Sequence, residues 1–296
     1  MDVHGYPAMK RYTTLIFLFG LLSVPVTVVA HPEKADNSWW WDKAWWDEGR
    51  IPAVTNHRVK VEWSSYERNG VDIPLMIARP ADGKKYPAVL FQHGRRGLDD
   101  LLQRHVKRLA ARGFVVMAPD IYKAHFLGTH PVEHDYELEK DVDGAVDVLL
   151  ARKDISSKKI CLYSHTRGGY YTLKTAVTFK RQERQVACYV SYYPHWQDPN
   201  APEPSQVYGY APEIEQLTIP TLVFIGEDEQ YQRRRVIETS MKVLHEKKRP
   251  AQLIIYPGVG RGFDFRPENV RTFADDLAAK DAIQRAAEFM QQYLKQ

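Results

Sequence analysis

The stretch Lys159-Ile160-Cys161-Leu162-Tyr163-Ser164-His165-Thr166-Arg167-Gly168-Gly169-Tyr170-Tyr171 constrains this chain more than any other. Residues 159–163 read as a short buried strand, and residues 170–179 scan as a helix. Between them lies a small-x-X-x-Gly-Gly turn, the layout of a nucleophile elbow. Small residues are needed there because strand and helix backbones nearly touch, while residue X is held in a strained conformation that pushes its side chain outward. In this register Ser164 is the first small position, Thr166 is X, and Gly168 is the second small position. Such turns usually carry Ser or Cys at X. A threonine there sets the functional question.

The pattern around the elbow defines a fold class. Residues 59–65 and 71–78 alternate like two strands and meet at Asn69-Gly70, a hairpin signal. Apolar strands follow at 87–92, 114–118, 186–192, 221–225 and 252–256, interleaved with helical patterns at 98–111, 136–152, 231–246 and 275–294. A hairpin followed by alternating apolar strands and amphipathic helices predicts α/β architecture with a doubly wound, mostly parallel sheet. Ligands in such sheets bind beyond the carboxyl ends of the strands. The informative residues are therefore those that follow each strand.

Several strand-end stretches, in this order, resemble the dienelactone hydrolase family of α/β-hydrolases over about residues 58–294. They are Gln92-His93-Gly94, Ala118-Pro119-Asp120-Ile121-Tyr122, Ser164-His165-Thr166-Arg167-Gly168-Gly169, Tyr192-Tyr193, Gly226-Glu227-Asp228-Glu229, and Tyr256-Pro257-Gly258-Val259-Gly260-Arg261-Gly262-Phe263. The resemblance implies hydrolysis of a small carboxylic ester or lactone, without a cofactor. A nucleophile stands at the elbow, an imidazole takes its proton, an acid orients the imidazole, and backbone N–H groups hold the oxyanion. Thr166 falls at the nucleophile position. The acid falls at Glu229, or at Asp228 if the turn is one residue tighter. The backbone donors would come from Arg167 and from Arg95 or a neighbour. Where the family pattern has Gly-His-Gly-Phe, this chain reads Gly260-Arg261-Gly262-Phe263.

Arg261 cannot serve as a general base, because a guanidinium stays protonated at ordinary pH. Threonine compounds the departure, being β-branched and hindered in a strained turn. Two functions follow as alternatives: a hydrolase with an altered nucleophile and base, or a degenerate member that binds a small anionic ligand or a partner protein. His93 and His165 read as loop-holding residues. His195, after the strand at 186–192, is the candidate substitute base. Arg95, Arg96, Arg167 and Arg261 all fall at one rim and could clamp a carboxylate or phosphate. His125, His130 and His134, with His195, match no specific metal-ligand spacing, so no metal is assigned.

Forty-one Lys and Arg against thirty-seven Asp and Glu leave a net charge of +4. That balance, without long basic runs, does not argue for nucleic acid. Residues 9–30 combine a basic start, an apolar stretch and Ala30, the pattern of a secretory signal cut before His31. Met9-Lys10-Arg11 fits such a start better than Met1, and Pro25 argues against an uncleaved anchor. Export is the expectation. The domain plan is a signal at 1–30, an arm at 31–57, and the α/β-hydrolase domain at 58–296. Five of the seven tryptophans fall in Trp39–Trp46 of the arm, to cover apolar surface or to dock a partner, membrane surface or sugar. Cys161 and Cys188 lie inside apolar strand patterns and read as two buried thiols.

Overall fold

The computed structural model describes residues 57–295; the signal-like segment and nearly all of the Trp-rich arm lie outside them. The first strands, β1 (Val59–Arg68) and β2 (Val71–Pro80), form the antiparallel hairpin. Asn69 and Gly70 both take positive φ at its turn, as a two-residue hairpin loop with the twist of its strands requires.

The parallel strands are β3 (Tyr86–Gln92), β4 (Val115–Pro119), β5 (Ile155–His165), β6 (Val186–Tyr192), β7 (Thr221–Asp228) and β8 (Ala251–Gly260). Helices α1 (Asp100–Ala111), α2 (Ile121–Ala124), α3 (Glu137–Leu150), α4 (Gly168–Ala176), α5 (Glu203–Tyr208), α6 (Tyr231–Glu246) and α7 (Phe273–Leu294) connect or flank them. The eight-stranded sheet runs β1-β2-β4-β3-β5-β6-β7-β8. All five β4 residues and the last five of β3 are buried, because helices cover both faces of the central parallel strands. β1 lies at the edge and buries no residue fully. The doubly wound expectation holds.

Helix α7 starts two residues before the apolar pattern suggested, at a capping box: Thr272 accepts from the Asp275 N–H and Asp275 answers to the Thr272 N–H. The two cysteines correct the sequence reading. β5 and β6 pair in a register that sets Cys161 directly opposite Cys188, with Cα atoms 4.7 Å apart, and the two are joined as a disulfide. Each strand pattern is equally apolar with or without that bond; only the pairing register decides it.

Candidate active site

Thr166 sits on the turn between β5 and α4 with φ +52, the left-handed conformation of an elbow. A β-branched residue there is strained. The surrounding backbone holds it: the Thr166 N–H donates to Tyr192 O at 3.1 Å, and the Thr166 carbonyl accepts from the N–H groups of His195 (2.9 Å) and Gly169 (3.0 Å). Gly168 is required because a Cβ would come within 2.5 Å of the Gln92 carbonyl oxygen. Gly94 faces the threonine so closely that a Cβ would lie 1.7 Å from Thr166 Oγ1. The hydroxyl therefore rests against the loop after β3. Among the described residues it has no hydrogen-bond partner, and none accepts from the backbone N–H groups of Arg95 and Arg167. Those are the two donors expected for an oxyanion.

Of the two candidate acids, Glu229 lies inside the fold. Its side chain is fully buried, whereas Asp228 is exposed and pairs along β8 with Gly260. Arg261 meets this acid: its Nη1 donates to Glu229 Oε1 at 2.9 Å. Its Nη2 donates to Tyr193 O at 3.2 Å and to His195 Nε2 at 2.8 Å, and the guanidinium lies over the Tyr193 ring, 5.1 Å from its centroid. His195 is thus held as an acceptor, with its lone pair turned to a cation. Burial, then the charges of Arg261 and Arg233, drive its pKa well below the ordinary value. His93 holds its loop: Nδ1–H donates to Gly94 O at 2.8 Å, and the ring packs edge-on against Tyr122.

The four-arginine clamp does not form. Arg95 donates to the carbonyls of Pro131 (2.9 Å) and His130 (2.8 Å). Arg167 donates to those of Pro131, Val132 and Glu133, at 2.9–3.0 Å. The irregular loop after α2 leaves its carbonyls without strand or helix partners, and the guanidiniums satisfy them. Arg96 pairs with Asp99 at 2.6 Å and lies over Phe265. Of the four, Arg261 alone is held by the acid position.

A different arginine joins it. Arg233, in the first turn of α6, has buried Nε and Nη1 atoms with no hydrogen-bond partner. Burial, followed by the neighbouring charges of Arg261 and Arg167, lowers its pKa to about 10. The sequence reading missed it, although a signal existed. Arg233-Arg234-Arg235 opens a helix whose first turn has no acid, against the preference of the helix dipole.

The histidines weighed as metal ligands do not converge. His125 Nε2 lies 2.6 Å from Asp141, and His134 Nε2 lies 3.0 Å from Glu139. A separate buried cluster, absent from the sequence reading, lies beside the elbow strand. Asp264 Oδ2 is 2.7 Å from His165 Nε2 and 3.2 Å from His105 Nδ1, and Oδ1 accepts from the Tyr193 hydroxyl. His105 Nε2 meets the Tyr163 hydroxyl at 2.7 Å. Burial pushes the Asp264 carboxyl up, but His165 and His105 more than offset it and hold the group well below the usual carboxylate range. Burial lowers His105 to about 4 against the pull of Asp264. Asp264 thus locks His165 in place, which fits its loop-holding role.

Comparison with known proteins agrees with this architecture. A Bradyrhizobium protein provisionally named a 2-oxo-3-(5-oxofuran-2-ylidene)propanoate lactonase is 21% identical over 239 residues, 77% of this chain and 93% of that protein. A Salmonella typhimurium protein provisionally named a carboxymethylenebutenolidase is 23% identical over 245 residues, 78% of this chain and 86% of that protein. A crystal structure from Klebsiella pneumoniae, provisionally named a dienelactone hydrolase, superposes with a TM-score of 0.63 at 20% identity. It covers 81% of this chain and all of that one. Residues 73–294 match the dienelactone hydrolase family, and the chain belongs to that family.

Proposed function

We propose that this protein uses the family fold to hold a small carboxylate-bearing ligand and turns over esters poorly. The observation that carries this reading is the engagement of Arg261 with Glu229 and His195. By the family resemblance a permanent cation takes the place of the proton-accepting imidazole, and it also engages the lone pair of His195, the candidate substitute base. Arg233 adds a half-buried guanidinium whose buried Nε and Nη1 have no hydrogen-bond partner, and a carboxylate oxygen could accept from Nη1. The test uses the mature chain with p-nitrophenyl acetate and, separately, malonate at low salt. The expected result is hydrolysis near the uncatalysed rate. Malonate should raise Tm, by less in Arg233→Gln and Arg261→Gln. Robust turnover that Thr166→Ala abolishes would overturn the proposal.

A second reading, hydrolysis of a small ester or lactone, is favoured by the strained φ of Thr166 and by the two uncommitted N–H groups beside it. It requires His195 to leave Arg261 and reach the threonine. A pH–rate profile with a limb that disappears in His195→Gln would support it.

We further propose that the protein works outside the cytoplasm. The signal-like residues 9–30 and the Cys161–Cys188 disulfide both support export to an oxidising compartment. A fusion of residues 1–30 to a reporter active only after export tests this.

A further inference from the structure

A cavity of about 270 Å³ lies between α1 and the loop that leads into α7, and neither Thr166 nor Arg261 lines it. Its wall carries four arginines. Arg104 and Arg108 come from α1, four residues apart and so on one face of the helix. Arg266 and Arg271 come from the loop. Leu101, Phe265 and Pro267 make the wall's apolar part.

The guanidiniums are close enough to act on one another. Burial first, then the charges of Arg271 and Arg104, lower the Arg108 pKa to about 10, against the opposing pull of Asp264 and Asp276. Arg104 likewise lowers Arg271. The acids nearby are committed or weak as counter-charges. Asp264 is held by His165, His105 and Tyr193, and Asp275 faces Arg266 at 3.4 Å while it caps α7. Burial raises Asp276 to about 7, so at neutral pH it carries only part of its charge. Glu268 is exposed at the rim. Arg108 and Arg271 have interactions of their own and contribute here by their charge, whereas Arg104 makes no hydrogen bond or ion pair with a described residue.

We propose that this cavity is a second anion site, for a phosphate group that is either free or carried on a small molecule. One bidentate arginine satisfies a planar carboxylate. A tetrahedral anion presents oxygens in several directions, which suits guanidiniums that approach from a helix on one side and a loop on the other. Its charge of nearly two at neutral pH matches an excess of cations better than a single carboxylate does. The apolar part of the wall offers a place for the body of a phosphate ester.

Isothermal titration of the mature chain at low salt, with inorganic phosphate, phenyl phosphate and benzoate, tests the assignment. The expected result is saturable phosphate binding with a Kd of about 1 mM, weakened by added salt. Tighter binding of phenyl phosphate would assign the site to an ester, and equal binding to the free ion. Benzoate should bind about tenfold more weakly than phenyl phosphate. Arg104→Gln, which disturbs no hydrogen bond among the described residues, should weaken phosphate about tenfold, and Arg104→Glu should abolish binding. Arg233→Gln, at the Thr166–Arg261 site, should leave phosphate binding unchanged. No saturable phosphate binding, unchanged binding in Arg104→Glu, or benzoate binding as tight as phenyl phosphate would each overturn the proposal. Binding lost in Arg233→Gln but kept in Arg104→Gln would also overturn it, by placing the anion at the other site.

Discussion

Arg261 Nη1 and Glu229 Oε1 are 2.9 Å apart, and the carboxylate is wholly buried while the arginine side chain is 20% exposed. The arginine keeps its proton at any ordinary pH. The Glu229 carboxylate is thereby charge-balanced in place, and His195 is tied to the same cation. Arg261, Glu229 and His195 thus form one hydrogen-bonded group, while the Thr166 hydroxyl has no hydrogen-bond partner among the described residues.

That arrangement makes Arg261 structural as well as functional. Arg261→Gln should destabilise the fold by about 3 kcal/mol, because it leaves a buried carboxylate without its counter-charge. Adding Glu229→Gln should recover at least half of the loss, since two neutral amides carry no uncompensated charge. Urea denaturation of wild type and the two variants measures this. A single variant within about 1 kcal/mol of wild type would show that water or another cation takes over the role.

Reversing the two departures should uncover hydrolysis. Thr166→Ser removes the β-branch, and Arg261→His returns an imidazole beside Glu229. Nucleophile and base act as a unit, so the double variant should exceed the product of the two single effects by about tenfold or more on p-nitrophenyl acetate. Additive effects would mean that the imidazole does not reach the serine, and that the turn itself has been remodelled.

The fold was legible because its signals are local. The hairpin announces itself in Asn69-Gly70, and glycines mark close approaches at strand ends, as Gly168 faces the Gln92 carbonyl and Gly94 faces the His165 carbonyl and the Thr166 side chain. The motifs also anticipated that Thr166 sits on the β5–α4 turn and that Glu229 and Arg261 follow neighbouring strands, β7 and β8. Contacts were not legible. Nothing in Pro131-Val132-Glu133 reveals that its carbonyls will bind Arg95 and Arg167, because any irregular backbone presents such acceptors. Asp264 follows Phe263 without a pattern of its own, and only the packed fold brings it to His165 and His105.

Two buried groups should give stability opposing pH dependences. Burial raises the Asp276 carboxyl from its ordinary 3.8 to about 7, against the lowering effect of Arg271 and Arg108. The native state then holds a proton that the unfolded chain has released, so this contribution is present at low pH and is lost as pH rises from about 4 to about 7. His105, lowered to about 4 by burial, does the reverse: its contribution is present above 6.5 and is lost as pH falls toward 4. Asp276→Asn removes the first effect alone. Relative to wild type, its unfolding free energy should rise between about pH 4.5 and about pH 7, by at most about 4 kcal/mol. Parallel stability curves for the two proteins would mean that Asp276 ionises normally in the fold.

The disulfide gives the most direct check on the sheet register. Cys161 and Cys188 face one another across β5 and β6, and they close a loop with a sequence separation of 27. Both side chains are fully buried, so replacing the pair with alanines leaves a small cavity and also releases the constraint on the unfolded chain. For a loop of this length the released chain entropy is worth about 3–4 kcal/mol. Cys161→Ala combined with Cys188→Ala should therefore lower stability by roughly that amount. Adding a reductant to folded wild type should have little immediate effect, because no reagent reaches the bond until the strands separate. A thiol-reactive chromophore should find no free thiol in wild type unfolded without reductant, and two once reductant is added. Two free thiols in the unreduced, unfolded protein recovered from an oxidising compartment would show that the bond does not form, and would count against the β5–β6 register that places the cysteines face to face.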